Sequence, residues 1–228
     1  MFNLVYPSLV ICSIDGRIVI TTHKIGSRFF EEKAGRCSDW KNYKESHFQW
    51  NTHDTYVNTI EPSINTQYHF SHGGGLEEKT KSFCNLVGVD KIEDIFTTQP
   101  ITFITRDPWS RFWSGLFEVI GENINEKINQ IDKSILNDTH LSLWNTFLIE
   151  LILHYEIKEH EIIDLNNPLI TERYGLKTTA AHESTNRLKY KPWLENEDNK
   201  VYIEKLQTIL KPYMDLEINA YNKLLNYE

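Results

Sequence analysis

The stretch PITFITRDPWSRFWSGLFEVIG, residues 100–121, changes its hydrophobic pattern at Arg106. ITFIT is a short, nearly continuous apolar run bounded by Pro100 and by Arg106-Asp107-Pro108, which suits a buried strand of a parallel sheet. PWSRFWSGLFEVIG then predicts a helix: Pro108 falls in its first turn, where a missing N–H costs little, and Phe112, Leu116, Val119 and Ile120 share an apolar face. A strand that feeds directly into a helix is the unit of an α/β domain. Arg106 stands at the strand end and Ser114 about two turns into the helix. Arginine can grip a phosphate with its planar fork, and a serine hydroxyl can donate to the same group.

A second stretch repeats this design upstream. VITTHKIGSRFFEE, residues 19–32, is a β-branched run that breaks on His23-Lys24, turns through Gly26-Ser27 and becomes amphipathic. A loop entering a helix N-terminus presents backbone N–H groups and the positive end of the helix dipole to an anion, and a lysine there adds charge. Ligands of open α/β sheets lie at the carboxyl ends of the strands, so both motifs deliver polar groups to one edge.

Working outward, SLVICS and RIVITT flank Asp15-Gly16, a hairpin signal. HEIIDL (160–165) predicts another strand, and Pro168 starts a helix that stops at Gly175. LSLWNTFLIELILHYEI (141–157) is amphipathic and helical. Residues 121–140 are polar loop or short helix, with short helices expected near 76–87 and 90–97 and a polar stretch over 176–193. The C-terminal segment from Lys200 predicts two helices broken at Pro212. Residues 36–75 are polar, aromatic and histidine-rich without a period, and predict a long irregular segment of functional character. The expected architecture is a single three-layered α/β domain over residues 1–228, with a mainly parallel central sheet and a P-loop-like anion loop.

Composition narrows the function. The 228 residues are 40% hydrophobic and 25% charged, ordinary for a globular protein with a sizeable core. A net charge of −8 argues against general nucleic-acid binding but leaves room for a local basic pocket. Cys12, Cys37 and Cys84 are scattered, odd in number and form no C-x-x-C, which argues against a zinc site or a disulfide framework. The N-terminal apolar run carries no basic flank and is broken by Pro7, Ser8, Ser13 and Asp15, which predicts a soluble cytoplasmic protein without membrane association.

Together, THKIGSRFF and ITRDPWSRFWSG resemble the two nucleotide-binding motifs of sulfotransferases that use 3′-phosphoadenosine 5′-phosphosulfate (PAPS), in particular the carbohydrate branch that includes the heparan sulfate 2-O- and 3-O-sulfotransferases. The resemblance implies that Lys24, Ile25, Gly26, Ser27 and Arg28 form the 5′-phosphosulfate loop, and that Arg106 and Ser114 bind the 3′-phosphate. Ile25 occupies a position where the family has a small residue, and Arg28 one where it often has a hydroxyl. HEIIDLNNPLITERYGL is similar to the branch's strand, acidic loop and helix, and LKPYMDLEINAYNKL to its C-terminal helix. HESTNRLK is similar to its late loop, which implies that Ser184, Thr185 and Arg187 approach the 3′-phosphate end.

By this resemblance the reaction is sulfuryl transfer from PAPS to an acceptor hydroxyl, a carbohydrate among the acceptors, with Lys24 catalytic and no metal. QYHFSHGGG offers His69 and His72 as the general base, with His23, Glu31 and Glu32 behind them. A bacterial or viral cytosolic relative is expected. Two other classes stay open: a P-loop kinase needing Mg²⁺, although residues 19–28 lack the first glycine of G-x-x-x-x-G-K-[ST], and a nucleotide-binding module without catalysis.

Overall fold

The computed structural model describes residues 4–5, 7–11, 17–22, 24–25, 55–58, 67–70, 88–90, 94–121, 124–138, 140–174 and 185–226. The decisive stretch folds as its pattern predicts: strand β6 spans Ile101–Thr105 and a helix runs over Pro108–Ile120. Asp107 caps that helix by accepting from the Ser110 N–H at 2.8 Å, and Pro108 sits in its first turn.

Around β6 the sheet is small. β3 (Ile18–Thr22) and β7 (His160–Asp164) flank it in parallel, and β2 (Pro7–Ile11) closes one edge antiparallel to β3. The order is β2-β3-β6-β7, with Ile18 opposite Ile101 and Thr105 opposite Asp164. Every residue of β3 and β6 is buried, so both faces of these strands are covered, as parallel sheets require. The chain is therefore of the α/β class. The β2–β3 pairing matches the hairpin expected around Asp15-Gly16, whose turn lies outside the described residues.

The described helices are α1 (Ile95–Thr98), α2 (Pro108–Ile120), α3 (Ile124–Lys127), α4 (Trp144–His154), α5 (Pro168–Tyr174), α6 (Thr185–Glu195) and α7 (Lys200–Leu225). Two cores result. Ile18, Ile20, Ile101 and Phe103 of the sheet pack with Trp144, Phe147, Leu148 and Leu151 of α4. Phe112, Trp113, Leu116 and Phe117 of α2 pack with Tyr190 of α6 and with Leu206, Leu210 and Met214 of α7. Helix α7 touches α4, α2 and β7, and so joins the two cores. At the amino ends of the strands, Arg17 donates from Nε to Thr102 Oγ1 at 2.9 Å and from Nη2 to the Ile101 carbonyl at 2.8 Å. Glu161 on β7 pairs there with Arg173 of α5.

Two expectations need correction. Pro212 does not break the C-terminal helix: α7 runs unbroken through it. Leu206 and Leu210 before the proline, and Met214, Glu217, Ala220 and Leu224 after it, are buried at helical spacing. That packing offsets a local penalty of about 3 kcal/mol. Residues 36–75 are not wholly irregular either, because β4 (Thr55–Asn58) and β5 (Gln67–Phe70) pair antiparallel and continue onto β1 (Leu4–Val5) in a second sheet. Strand pairing there uses backbone groups, which the mixed composition of TYVN and QYHF hides. The end of the polar stretch 176–193 is helical, as part of α6, which packs on α2. The short helix expected near 76–87 lies outside the described residues, and that near 90–97 is seen as the single turn α1.

Gly115 sets how closely α2 approaches the segment before α4. A Cβ there would lie 2.4 Å from the His140 carbonyl oxygen and 2.8 Å from Leu141 Cδ2. Gly115→Ala is expected to destabilise by about 2 kcal/mol, because a clash with backbone outweighs the roughly 1 kcal/mol helix-propensity gain. Urea unfolding measures it, and an unchanged midpoint would mean that the 140–141 segment yields freely.

Candidate functional site

The site is built at the carboxyl ends of β3 and β6. Lys24 follows β3 by two residues and has φ +66°, a left-handed conformation uncommon for a residue with a side chain. Two bonds hold the turn: the Ile25 N–H donates to the Thr22 carbonyl at 3.2 Å, and Thr21 Oγ1 donates to the Ile25 carbonyl at 3.0 Å. Ile25 is fully buried and anchors the turn in the sheet core.

Arg106 reaches this turn from the neighbouring strand. Its Nη1 donates to the Lys24 carbonyl at 2.8 Å. The Lys24 ammonium in turn meets Glu118 Oε2 of α2 at 2.9 Å. The two strand–loop–helix motifs are therefore tied at two points, one through the backbone of the first loop and one through its cation. Asp107 spends its carboxylate on the helix cap.

Ser114 is 3% exposed, and among the described residues its hydroxyl has no hydrogen-bond partner. A buried hydroxyl without a partner is costly and uncommon in a folded protein, and a ligand is one explanation for it. Arg111, Ser114 and Glu118 follow at i, i+3 and i+7 and so share one face of α2. Arg111 is buried and structural: it donates to the Ser142 carbonyl and, at 3.2 Å, to Ser142 Oγ. Burial pulls its pKa down to about 10, Glu217 opposes the shift, and Arg106 adds to it.

The end of β6 is held from behind by α4. The Trp144 indole donates to the Ile104 carbonyl at 2.9 Å, and Asn145 Nδ2 donates to the Arg106 carbonyl at 3.4 Å. Asn145 Oδ1 also accepts from the Thr105 hydroxyl. On the next strand, Asp164 accepts from the Tyr221 hydroxyl of α7 at 2.7 Å. Burial and that carboxylate raise the Tyr221 pKa above its ordinary range, so the phenol stays a neutral donor.

Of the residues expected at the site, Lys24, Ile25 and Arg106 come together directly, and Ser114 lies on the helix that both cations engage or precede. His69 sits on β5 opposite Tyr56, with its side chain outside the described residues. Thr185 and Arg187 lie on the first turn of α6, also with side chains outside them. Gly26, Ser27, Arg28, His72 and Ser184, together with His23, Glu31 and Glu32, fall outside the described residues. Sequence reasoning missed Glu118, although its spacing from Ser114 placed it on the same helix face. It also missed Asn145 and Glu217, which no local pattern marks. Among the described residues no group of histidine, cysteine or carboxylate side chains gathers that could hold a metal ion, and no helix is long and apolar enough to cross a membrane.

Compared with protein-family models, curated proteins and solved structures, the chain matches none.

Proposed function

We propose that the chain is a PAPS-dependent sulfotransferase with a three-layered, sulfotransferase-like fold, acting on an acceptor hydroxyl, a carbohydrate among the acceptor classes. The observation that supports this most is the Arg106–Lys24 contact at 2.8 Å, which brings the two anion-binding motifs to one strand edge. A nucleotide phosphorylated at both its 3′ and 5′ positions needs two anion grips side by side, and a single phosphate loop supplies one. The donor set that supports such a ligand is two cations and a buried hydroxyl on Ser114 that has no partner among the described residues.

In this reading the bound PAPS supplies an activated sulfuryl group, and the chain supplies position and charge. Lys24 stabilises the charge that grows on the leaving phosphate, helped by the backbone N–H groups of Gly26, Ser27 and Arg28. Arg106 and Ser114 hold the 3′-phosphate, with Ser184, Thr185 and Arg187 closing from the late segment. His69 and His72 are the proposed bases for the acceptor hydroxyl. The proposed setting is the cytosol.

Calorimetric titration with adenosine 3′,5′-bisphosphate tests it. The wild type is expected to bind one equivalent, and Arg106→Ala to lose that binding. Wild-type protein that ignores this nucleotide and binds ATP–Mg²⁺ would overturn the proposal in favour of a kinase.

A further inference from the structure

We propose that Glu118 is a specificity-determining residue of the Lys24 loop, setting it to accept a singly charged terminal sulfuryl group in preference to a doubly charged terminal phosphoryl group of the same shape. The inference rests on the sulfotransferase reading above and deepens it.

Sulfate and phosphate end groups have the same tetrahedral form and nearly the same size, so steric fit does not separate them. Charge does. Near neutral pH a terminal phosphate approaches two negative charges, with its second pKa near 6, whereas a terminal sulfate carries one. A loop offering only lysine, arginine and backbone N–H groups would favour the more highly charged group. Glu118 Oε2, at 2.9 Å from Lys24 Nζ, brings a carboxylate to the cation that, on the reading above, meets the end group.

The geometry makes this charge hard to escape. The Lys24 side chain is 14% exposed and that of Glu118 31%, so the pair is only partly screened by solvent. The lysine backbone is fixed by the bond from Arg106. Helix α2, which carries Glu118, packs closely on the segment before α4 at Gly115, where a Cβ would lie 2.4 Å from the His140 carbonyl oxygen. An end group on Lys24 therefore lies within one side-chain contact of the carboxylate. One extra negative charge at that range is expected to weaken binding about tenfold at a partly screened site.

Two isosteric nucleotides test the proposal: PAPS and 3′-phosphoadenosine 5′-diphosphate, titrated into the wild type, Glu118→Gln and Glu118→Asp. The wild type is expected to prefer PAPS, Glu118→Gln to lose about tenfold of that preference, and Glu118→Asp, which keeps the charge, to retain it. The wild-type preference should also shrink between about 0.02 M and about 0.5 M salt, a measurement that needs no variant. If both nucleotides bind, and the preference is absent, unchanged in Glu118→Gln or insensitive to salt, charge selection by Glu118 is wrong and the nucleotide site stands. If neither nucleotide binds the wild type, both proposals fall.

Discussion

Glu217→Ala is expected to destabilise the protein by about 3–5 kcal/mol, a large share of the 5–15 kcal/mol typical of a folded domain. Glu217 is 3% exposed, far from solvent, on α7. Its carboxylate accepts from the Asn145 N–H at 2.6 Å, the Thr146 N–H at 3.0 Å and the Thr146 hydroxyl at 2.9 Å. Those N–H groups belong to the first turn of α4, which has no intrahelical acceptor for them. Leu143 at the cap position offers no side-chain acceptor. Glu217 therefore caps α4 from another helix and also faces buried Arg111. Alanine would orphan three donors and leave that guanidinium without its carboxylate. Denaturant unfolding measures the loss, and a change below about 1 kcal/mol would show that water or another group replaces the carboxylate.

The same carboxyl group gives a pH signature. Burial raises its pKa above the ordinary 4.5, against the opposing pull of its bonds and of Arg111. A carboxyl group whose pKa is higher in the folded state contributes stability that is complete below its unfolded value. That contribution is lost as pH rises through the folded value. Glu217→Gln cannot titrate. The stability gap between wild type and Glu217→Gln should therefore be widest at acidic pH and narrow toward neutrality. A gap that widens on raising the pH would reverse the assignment.

How far the sequence speaks for itself depends on the range of the interaction. The β6–α2 unit was legible because its signals are local: a bounded apolar run, Asp107 as cap, Pro108 in the first turn. Lys24 and Arg106 were legible as types at strand ends, yet their direct contact joins residues 82 apart and no spacing rule predicts it. In the first loop the pattern puts the turn at Gly26-Ser27, outside the described residues, while Lys24 just before them has a left-handed backbone that no local pattern marks. The loop tolerates this because Ile25 and two hydrogen bonds hold it. Pro212 misled for the opposite reason: a strong local signal is overruled by the buried stripe on either side of it. Glu217 looked like one more charge on an amphipathic helix, since its partners are 71 and 72 residues away.

Arg106 carries the largest expected effect on binding, and two substitutions separate its roles. Arg106→Ala removes a guanidinium that, in the proposed reading, holds the 3′-phosphate, and it also releases the Lys24 carbonyl from its 2.8 Å bond. Hydrogen bonds to charged groups contribute about 1.5–3 kcal/mol each, so losing the phosphate grip and the loop tether together should weaken adenosine 3′,5′-bisphosphate several hundred-fold or more. Arg106→Lys keeps the charge but not the planar fork, and a single ammonium cannot serve the Lys24 carbonyl and a phosphate in the same geometry. It should recover only part of the affinity, remaining about tenfold or more weaker than wild type. A lysine variant that binds as tightly as wild type would mean that charge alone matters at this position. Arg106 would then be a point cation beside the loop, and the two motifs would be joined chiefly through Lys24 and Glu118.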